Sequence, residues 1–320
     1  MRAVVTGGAG FIGSHLVDAL VDRGDEVVIV DNLSTGTRAN VNPRAELLVG
    51  DITDAELMRA ACAGAEVVFH QAAAKAVLRS VELPLETDHV NTHGTLTALV
   101  AARDAGVRRF VHASSSSVYG GAAALPTPEG SPVAPRSPYA VSKLAAEHYC
   151  RVFHELHGLE TVALRYFNVF GPRQPPDAIY AAVIPLFAAA LLGGTTPVVH
   201  GDGLQSRDFT YVSDVVAANL AAADAPAERC AGRVLNIAGG RAHSLLDLLA
   251  GLAAATGTRG EPTFTEVRAG DIRHSCADPS AAAEALDFRC RVDLAEGLRR
   301  TVAWMRDERS AADGSATLGP

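Results

Sequence analysis

Tyr139 and Lys143 lie four residues apart in the stretch Ser137-Pro138-Tyr139-Ala140-Val141-Ser142-Lys143. On a helix that spacing puts a phenol and an ammonium on one face. An ammonium lowers the pKa of a neighbouring phenol, so Tyr139 becomes a usable base near neutral pH, and the remaining protons of Lys143 can grip a ribose. The chain has six tyrosines and only two lysines, Lys75 and Lys143, among 320 residues. At that composition a Tyr-x-x-x-Lys match arises by accident in about one chain in twenty-five, which favours a reacting centre over a solvated helix face. Ser114-Ser115-Ser116-Ser117 stands upstream, before Val118-Tyr119-Gly120. A hydroxyl there can pass a proton between a substrate alcohol and Tyr139, or orient that alcohol. The bland reading, a serine bonded to its own backbone, is weaker for Ser115 than for Ser114 and Ser117.

A second constellation opens the chain. Thr6-Gly7-Gly8-Ala9-Gly10-Phe11-Ile12-Gly13 joins a β-branched run to a helical pattern. Glycines permit a tight turn and close backbone approach, and the helix N-terminus offers N–H groups to a pyrophosphate. Asp31 closes the next apolar run, where the ribose of a bound adenosine lies in this arrangement. Its carboxylate accepts from the 2′- and 3′-hydroxyls and repels a 2′-phosphate, so NAD is expected rather than NADP; Arg38 would reverse that preference by folding back. Asp51-Ile52 and Gln71-Ala72-Ala73-Ala74, followed by Lys75, fall at further strand ends, where a doubly wound sheet holds its ligand.

These residues need a scaffold, and the apolar pattern supplies one. Short runs at Ala3 to Val5, Val27 to Val30, Leu47 to Val49, Val67 to Phe69, Phe110-Val111 and Val162 to Leu164 alternate with longer helical stretches. Such continuous apolar strands predict an α/β fold with a doubly wound parallel (Rossmann) sheet, covered on both faces. After Phe170 prolines multiply and elements shorten, which marks a second, smaller α/β lobe. Asp208 to Val212 and Ser213 to Ala223 read as a strand and helix returning to the first domain. The expected division is a dinucleotide-binding domain over 1–170, with a return over about 205–237. Residues 171–204 and 238–309 form the substrate lobe, and 310–320 a flexible tail. Asp278-Pro279 reads as a helix start and Asp293 to Met305 as an amphipathic C-terminal helix.

Composition narrows the partners. The formal charge is −8, a field that repels nucleic acid and anionic membranes on average while leaving room for a small anion held locally. Five cysteines, Cys62, Cys150, Cys230, Cys276 and Cys290, show no metal-ligand spacing, so reduced thiols and no metal are expected. With Met1-Arg2 running directly into the first strand and no apolar run of about 18 residues, the expectation is a cytoplasmic protein.

The motifs together resemble the extended short-chain dehydrogenase/reductases, the NAD-dependent epimerase/dehydratase family, and within it the UDP-sugar 4-epimerases. The resemblance covers nearly the whole chain. It is carried by TGGAGFIGSHL from Thr6, VDNLSTG around Asp31, SSSSVYG from Ser114, SPYAVSKLAAE from Ser137, LRYFNVFGPRQ around Arg165, AAVIP before Pro185, GDGLQSRDFTYVSD around Arg207 and RAGDIRHSCAD around Arg268. The last three also resemble the group acting on N-acetylated UDP-hexosamines. The resemblance implies that NAD is held by Gly7, Gly10, Phe11, Ile12, Gly13, Asp31, Asn32, Ser34, Thr35, Gly36, Asp51, Ile52, Gln71, Ala72, Ala73, Lys75, Asn91, Ser114, Tyr139, Lys143 and Tyr166, with Asn91 bridging cofactor and substrate. It implies that Tyr139, Lys143, Ser115 and Ser116 react. It gives the UDP-sugar to Lys75, Ser115, Ser116, Tyr139, Phe167, Asn168, Val183, His200, Arg207, Arg268, Asp271 and Ser275. The two arginines grip the diphosphate and Asp271 the uridine ribose.

Further consequences follow from the same resemblance. Ser275 occupies the position bordering the sugar's C2 substituent, where a bulky tyrosine would exclude an N-acetyl group. Related 4,6-dehydratases and decarboxylases carry an acidic residue before Val-Tyr-Gly, where this chain has Ser116 and Ser117. The implied reaction is inversion at C4 of a UDP-hexose through a 4-keto intermediate, by a homodimer. A UDP-glucuronate 4-epimerase, a net nucleotide-sugar oxidoreductase or dehydratase, and an NAD-sensing regulator are the rival readings.

Overall fold

The computed structural model describes residues 1–75, 77–121, 124–175, 182–258, 260–267 and 272–316. Its strands are β1 (Arg2–Thr6), β2 (Glu26–Asp31), β3 (Glu46–Val49), β4 (Val67–His70), β5 (Arg109–Ser115), β6 (Glu160–Tyr166) and β7 (Val169–Phe170), followed by β8 (Val198–His200), β9 (Ser206–Asp208), β10 (Thr210–Tyr211), β11 (Arg233–Ile237), β12 (Ala242–Ser244) and β13 (Thr263–Thr265). Seven of them form one sheet in the order β11-β6-β5-β4-β1-β2-β3, all parallel. The order reverses between β1 and β4, and in a doubly wound sheet the crevice beyond such a switch point takes the ligand. Every apolar run named from the sequence lies inside one of these strands.

The helices are α1 (Phe11–Asp22), α2 (Ala55–Cys62), α3 (Val77–Glu82), α4 (Pro84–Asp88), α5 (Gly94–Asp104), α6 (Pro138–His157), α7 (Val183–Leu192), α8 (Val212–Asp224), α9 (Ala227–Cys230), α10 (Leu245–Thr256), α11 (Ser280–Leu286) and α12 (Leu294–Ala316). Strand side chains alternate between two cores, which is why the runs are apolar throughout. Ala3, Val5, Ile29 and Phe69 meet Leu16 and Leu20 of α1, Val215 and Ala222 of α8 and Ala282 of α11. Val4, Val28, Val30 and Val68 meet Met58 of α2, Leu99 of α5 and Cys150 and Phe153 of α6. A third core joins Ile184 and Phe187 of α7, Leu248 and Leu252 of α10 and Leu298 and Val302 of α12 to Phe170 and Tyr211.

The chain therefore leaves the main sheet after β6 and returns through α8 and β11. Outside it lie three strand pairs: β7 with β10 and β8 with β13, both parallel, and β9 with β12, antiparallel. Helix α12 runs to Ala316, and residues 317–320 of the expected tail lie outside the described residues. One sequence expectation needs adjustment. The helix expected at Asp278-Pro279 starts one residue later, at Ser280, whose N–H is accepted by Asp278 Oδ1 at 2.9 Å.

Asp208 on β9 ties that strand to the backbone after β11 and around Ala277. Fully buried, its two carboxylate oxygens accept N–H groups from Gly239 at 3.1 Å, Gly240 at 3.0 Å and Ala277 at 3.1 Å. Burial pushes the group up to about 6, against the pull of those donors. At pH 7.5 it is a carboxylate that fixes the exit of β11 to the segment around Ser275. Asp208→Asn places an amide N–H against a backbone N–H, so a loss of about 1–3 kcal/mol in unfolding free energy is expected by urea titration at that pH; an unchanged midpoint would remove this role.

Candidate active site

Side chains at the carboxyl ends of β1, β2, β4, β5 and β6 build the site. Gly7 has φ 70°, and a Cβ on it would lie 2.8 Å from the Ala72 backbone. The exits of β1 and β4 can therefore meet only through backbone. Gly13, in the first turn of α1, packs on the Gly7 carbonyl more closely than any Cβ permits. The first turn of α1 has no acidic residue, and its N-cap, Gly10, makes no side-chain cap. Its N–H groups thus face the crevice without an internal anion, which suits a pyrophosphate.

Asp31 closes β2 with its carboxylate buried. Oδ2 accepts Ala9 N at 2.9 Å and Oδ1 accepts Leu33 N at 2.8 Å, leaving lone pairs on both oxygens for ribose hydroxyls. The following loop folds over the glycine turn: Thr37 N reaches Ala9 O at 3.1 Å, and Gly36 lies so close to Ala9 that a Cβ would stand 2.9 Å away. Ser34 and Thr35 are exposed there, and Arg38 is exposed on a single 3₁₀ turn, Arg38–Asn40. Asn32 donates to Asp51 at 2.8 Å. Burial pushes Asp51 up, but the Thr53 N–H and O–H and the Asn32 amide outweigh it and hold the carboxyl below the usual range. Ile52 beside it is buried.

Beyond β4, Gln71 Nε2 donates to Asn219 Oδ1 at 2.9 Å and to the Tyr166 phenol at 3.2 Å. Burial pushes that phenol up to about 12, so Tyr166 stays neutral. Asn91 sits in a π-helical turn, His89–His93, between α4 and α5. Its Oδ1 accepts Ala74 N at 2.7 Å, while Nδ2 donates to Ala74 O at 3.1 Å and Ser142 Oγ at 3.0 Å. Its polar atoms are thus engaged within the protein, tying the 71–74 segment to α6. Thr95 Oγ1 donates to the Asn91 carbonyl at 2.6 Å and contacts His70, whose other nitrogen reaches Thr6. Lys75 stands beside this segment, with its pKa lowered by desolvation.

Helix α6 carries the reacting pair. Ser137 caps it by accepting Ala140 N at 3.1 Å, Pro138 fills the first turn, and Gly158 at φ 69° ends it, the start and stop that its sequence dictates. Lys143 is buried, and its Nζ donates to Ala113 O at 2.8 Å. Burial pushes it down to about 8, with Cys150 and Glu147 opposing. Tyr139 is half-buried one turn earlier, its phenol beside Ser115. Its pKa is raised by burial and pulled back only by Ser115. The expected lowering by Lys143 is therefore not a property of the protein by itself, because desolvation dominates at the phenol and the ammonium spends a proton on Ala113.

Ser115 Oγ also accepts Ser117 N at 3.2 Å, starting the 3₁₀ turn Ser116–Tyr119 in which Ser116 is half-buried. Ser114, on the other side of the strand, donates to Glu147, so its hydroxyl is turned inward from the crevice. Glu147 in turn pairs with Arg165 at 2.8 and 2.7 Å. Sequence reasoning missed this buried pair, together with Ser142, Asn219 and His70. Glu147 had one signal, its place one turn beyond Lys143.

On the substrate side, Phe167 is buried against Tyr119, so only its backbone can face the crevice. Asn168 takes φ 34° and donates to Asp208 O at 3.2 Å. Val183 begins α7, and His200 contacts Thr265 Oγ1 at 2.8 Å. Arg207 Nη1 donates to Ser206 O at 2.9 Å, and Ser275 N donates to the same carbonyl at 3.1 Å, bringing these two expected substrate residues together. Arg268 and Asp271 lie outside the described residues. Among those residues no three His, Cys, Asp or Glu side chains are placed to share a metal ion, and no helix is long and apolar enough to cross a membrane.

A family model, the NAD dependent epimerase/dehydratase family, matches residues 3–238. A UDP-glucose 4-epimerase of Mycolicibacterium smegmatis is 42% identical over 315 residues, covering 96% of this chain and 99% of the relative. The crystal structure of a Thermotoga maritima UDP-glucose 4-epimerase with UDP-glucose superimposes with a TM-score of 0.93 at 39% identity, over 97% of this chain and 100% of that one. A UDP-N-acetylglucosamine 4-epimerase from Methanobrevibacter ruminantium, in complex with UDP-N-acetylmuramic acid, gives 0.92 at 39% identity, over 96% and 98%.

Two measurements check the site. Gly13→Ala forces the Gly7 turn off α1, and isothermal titration should show NAD affinity falling at least about tenfold; unaltered affinity would displace the cofactor from this loop. With two lysines in the chain, selective ¹³Cε labelling gives two signals. The Lys143 signal, assigned with Lys143→Arg, is expected to titrate near 8, so its ammonium is intact below that pH and lost as pH rises through it. A titration at the ordinary lysine value near 10.5 would contradict its burial.

Proposed function

The chain belongs to the NAD-dependent epimerase/dehydratase family, and we propose that within it the protein is a UDP-hexose 4-epimerase. The observation that carries this reading is the Tyr139 phenol set beside Ser115, one helical turn from Lys143, whose buried ammonium donates to Ala113 O at 2.8 Å, with Ser116 and Ser117 where an eliminating enzyme needs an acid. Tyr139 takes the proton of the 4-hydroxyl while Ser115 orients that oxygen, and Tyr139 returns a proton when the 4-keto group is reduced from its other face. Lys143 holds the cofactor ribose and keeps a positive charge near the phenol. When bound, NAD supplies the two-electron acceptor that takes hydride from C4 and gives it back, and its oxidised ring adds a positive charge of the sign that lowers a phenol pKa. The loop of Gly7, Gly10 and Gly13 with the α1 N-terminus would hold its pyrophosphate, and Asp31 its adenosine ribose.

Oxidation and reduction at one carbon cancel, so UDP-hexose is both substrate and product class. For the ketone to turn over without escaping, the protein must grip the nucleotide and leave the sugar loosely held. Residues 171–204 and 238–309 provide the grip on this reading, with Arg207 as a bidentate diphosphate ligand. The small Ser275 leaves room for a C2 N-acetyl group, which favours UDP-GlcNAc and UDP-GalNAc, with UDP-glucose and UDP-galactose also accommodated. A homodimer goes with the reading. Val141, Val152 and Leu156 of α6 are exposed, as are Val81, Leu83 and Leu85 of the neighbouring α3–α4 segment, an apolar face that a second copy would cover.

The test is incubation with UDP-GlcNAc, UDP-glucose and UDP-glucuronate in separate tubes, with products identified by NMR and absorbance followed at the reduced-nicotinamide band. C4 epimers of the hexoses are expected, without steady absorbance change. Tyr139→Phe should lower kcat by about 10²- to 10⁴-fold. Accumulating NADH, conversion of the uronate alone, or full turnover by the phenylalanine variant would each defeat the proposal.

A further inference from the structure

The Glu147–Arg165 pair lies beneath the reacting groups. Its side chains are 4% and 6% exposed, and it is bidentate, Arg165 Nε to Oε1 at 2.8 Å and Nη2 to Oε2 at 2.7 Å. Glu147 Oε1 also accepts the Ser114 hydroxyl. The Arg165 guanidinium covers the Tyr119 ring, 4.6 Å from its centroid, and reaches Glu129 O at 3.3 Å. Ion pairs this deeply buried are poor sources of stability, because desolvating both charges offsets their attraction; a well-packed apolar pair serves as well. What the pair does offer is geometry, since each member accepts or donates in fixed directions.

Those directions connect the three elements that carry the chemistry. Tyr139, Lys143 and Glu147 follow one another at four-residue steps along α6, close to one face of the helix. Ser114 immediately precedes Ser115 at the end of β5, and Arg165 immediately precedes Tyr166 at the end of β6. We propose that Glu147 is a positioning residue for the reaction: through Ser114 and Arg165 it locks the ends of β5 and β6 against the catalytic helix, and so fixes the Ser115 hydroxyl against the Tyr139 phenol. Glu147 itself touches neither substrate nor cofactor. Helix and strand also meet at Lys143 Nζ and Ala113 O, so two tethers on consecutive residues, Ala113 and Ser114, hold the strand to α6 immediately before Ser115.

The inference rests on the epimerase reading, and the experiment separates their failures. Wild type, Ser114→Ala, Glu147→Gln and the double variant are assayed with the UDP-hexose that wild type converts, and each is analysed for bound NAD and for Tm. If wild type epimerises no UDP-hexose, the functional reading falls. If it does, Ser114→Ala, which leaves the ion pair in place, should lose at least about tenfold in kcat with KM within about twofold and NAD retained, since a displacement of about 1 Å costs up to about 10²-fold. Glu147→Gln should lose more, and the double variant no more than Glu147→Gln alone, because both cut one path. Wild-type kcat in both single variants, with only Tm lowered, overturns the proposal. So does loss of NAD from Ser114→Ala, which would make Ser114 a cofactor ligand. Should Glu147→Gln fail to fold, Ser114→Ala decides by itself.

Discussion

A buried ammonium must find acceptors, and Lys143 finds one at the carbonyl of Ala113, 2.8 Å away. That bond fixes where α6 lies along β5. The helix can carry the bond because it is capped at both ends, by Ser137 and by Gly158, so its register does not drift. Once Lys143 is seated, Tyr139 is delivered one turn upstream beside Ser115 and Glu147 one turn downstream beside Ser114. The cost of taking the charge out of water is visible in a pKa drawn down to about 8, which still leaves the group cationic at neutral pH.

The rest of the crevice is assembled by backbone proximity more than by charge. Gly7 and Gly13 let β1, α1 and the segment after β4 approach within distances that a side chain would block. Asp31 holds two backbone N–H groups before it meets any ligand, so the carboxylate is oriented in advance and little ordering is left for binding. Asn91 does the same for the opposite wall, spending its amide on Ala74 and Ser142. The site is thus shaped by short polar contacts between elements distant in sequence.

That distance decides what the sequence could reveal. The central sheet was legible because parallel strands buried on both faces leave continuous apolar runs, and the glycine turn, Asp31 and the Tyr139–Lys143 spacing are local signals. The phenol's raised pKa was not legible, since burial depends on how β5 and the loops close around Tyr139. Nor was the inward turn of Ser114, which needs Glu147 from 33 positions away. Asn219 reaches Gln71 and Tyr166 from α8 and carried no signal at all, because its partners are set by the return of the chain to the sheet. Arg165 in an apolar strand was quoted as part of a motif, yet only the fold explains why a guanidinium can lie there.

From Pro84 to Asp104 the chain is one continuous rod, α4 and α5 joined by the wide turn at His89–His93. A turn of this width holds one residue more than an α-helical turn, and each residue advances the rod by about 100°. The two halves of the rod are therefore out of phase with each other, the first packing on α6 and the second on α2 and β4 as well as on α6. Shortening the rod by a single residue would restore ideal helical bonding and rotate Asn91 away from Ala74. A locally better helix would thus undo the wall it supports, and the surplus residue is what lets one rod serve two surfaces.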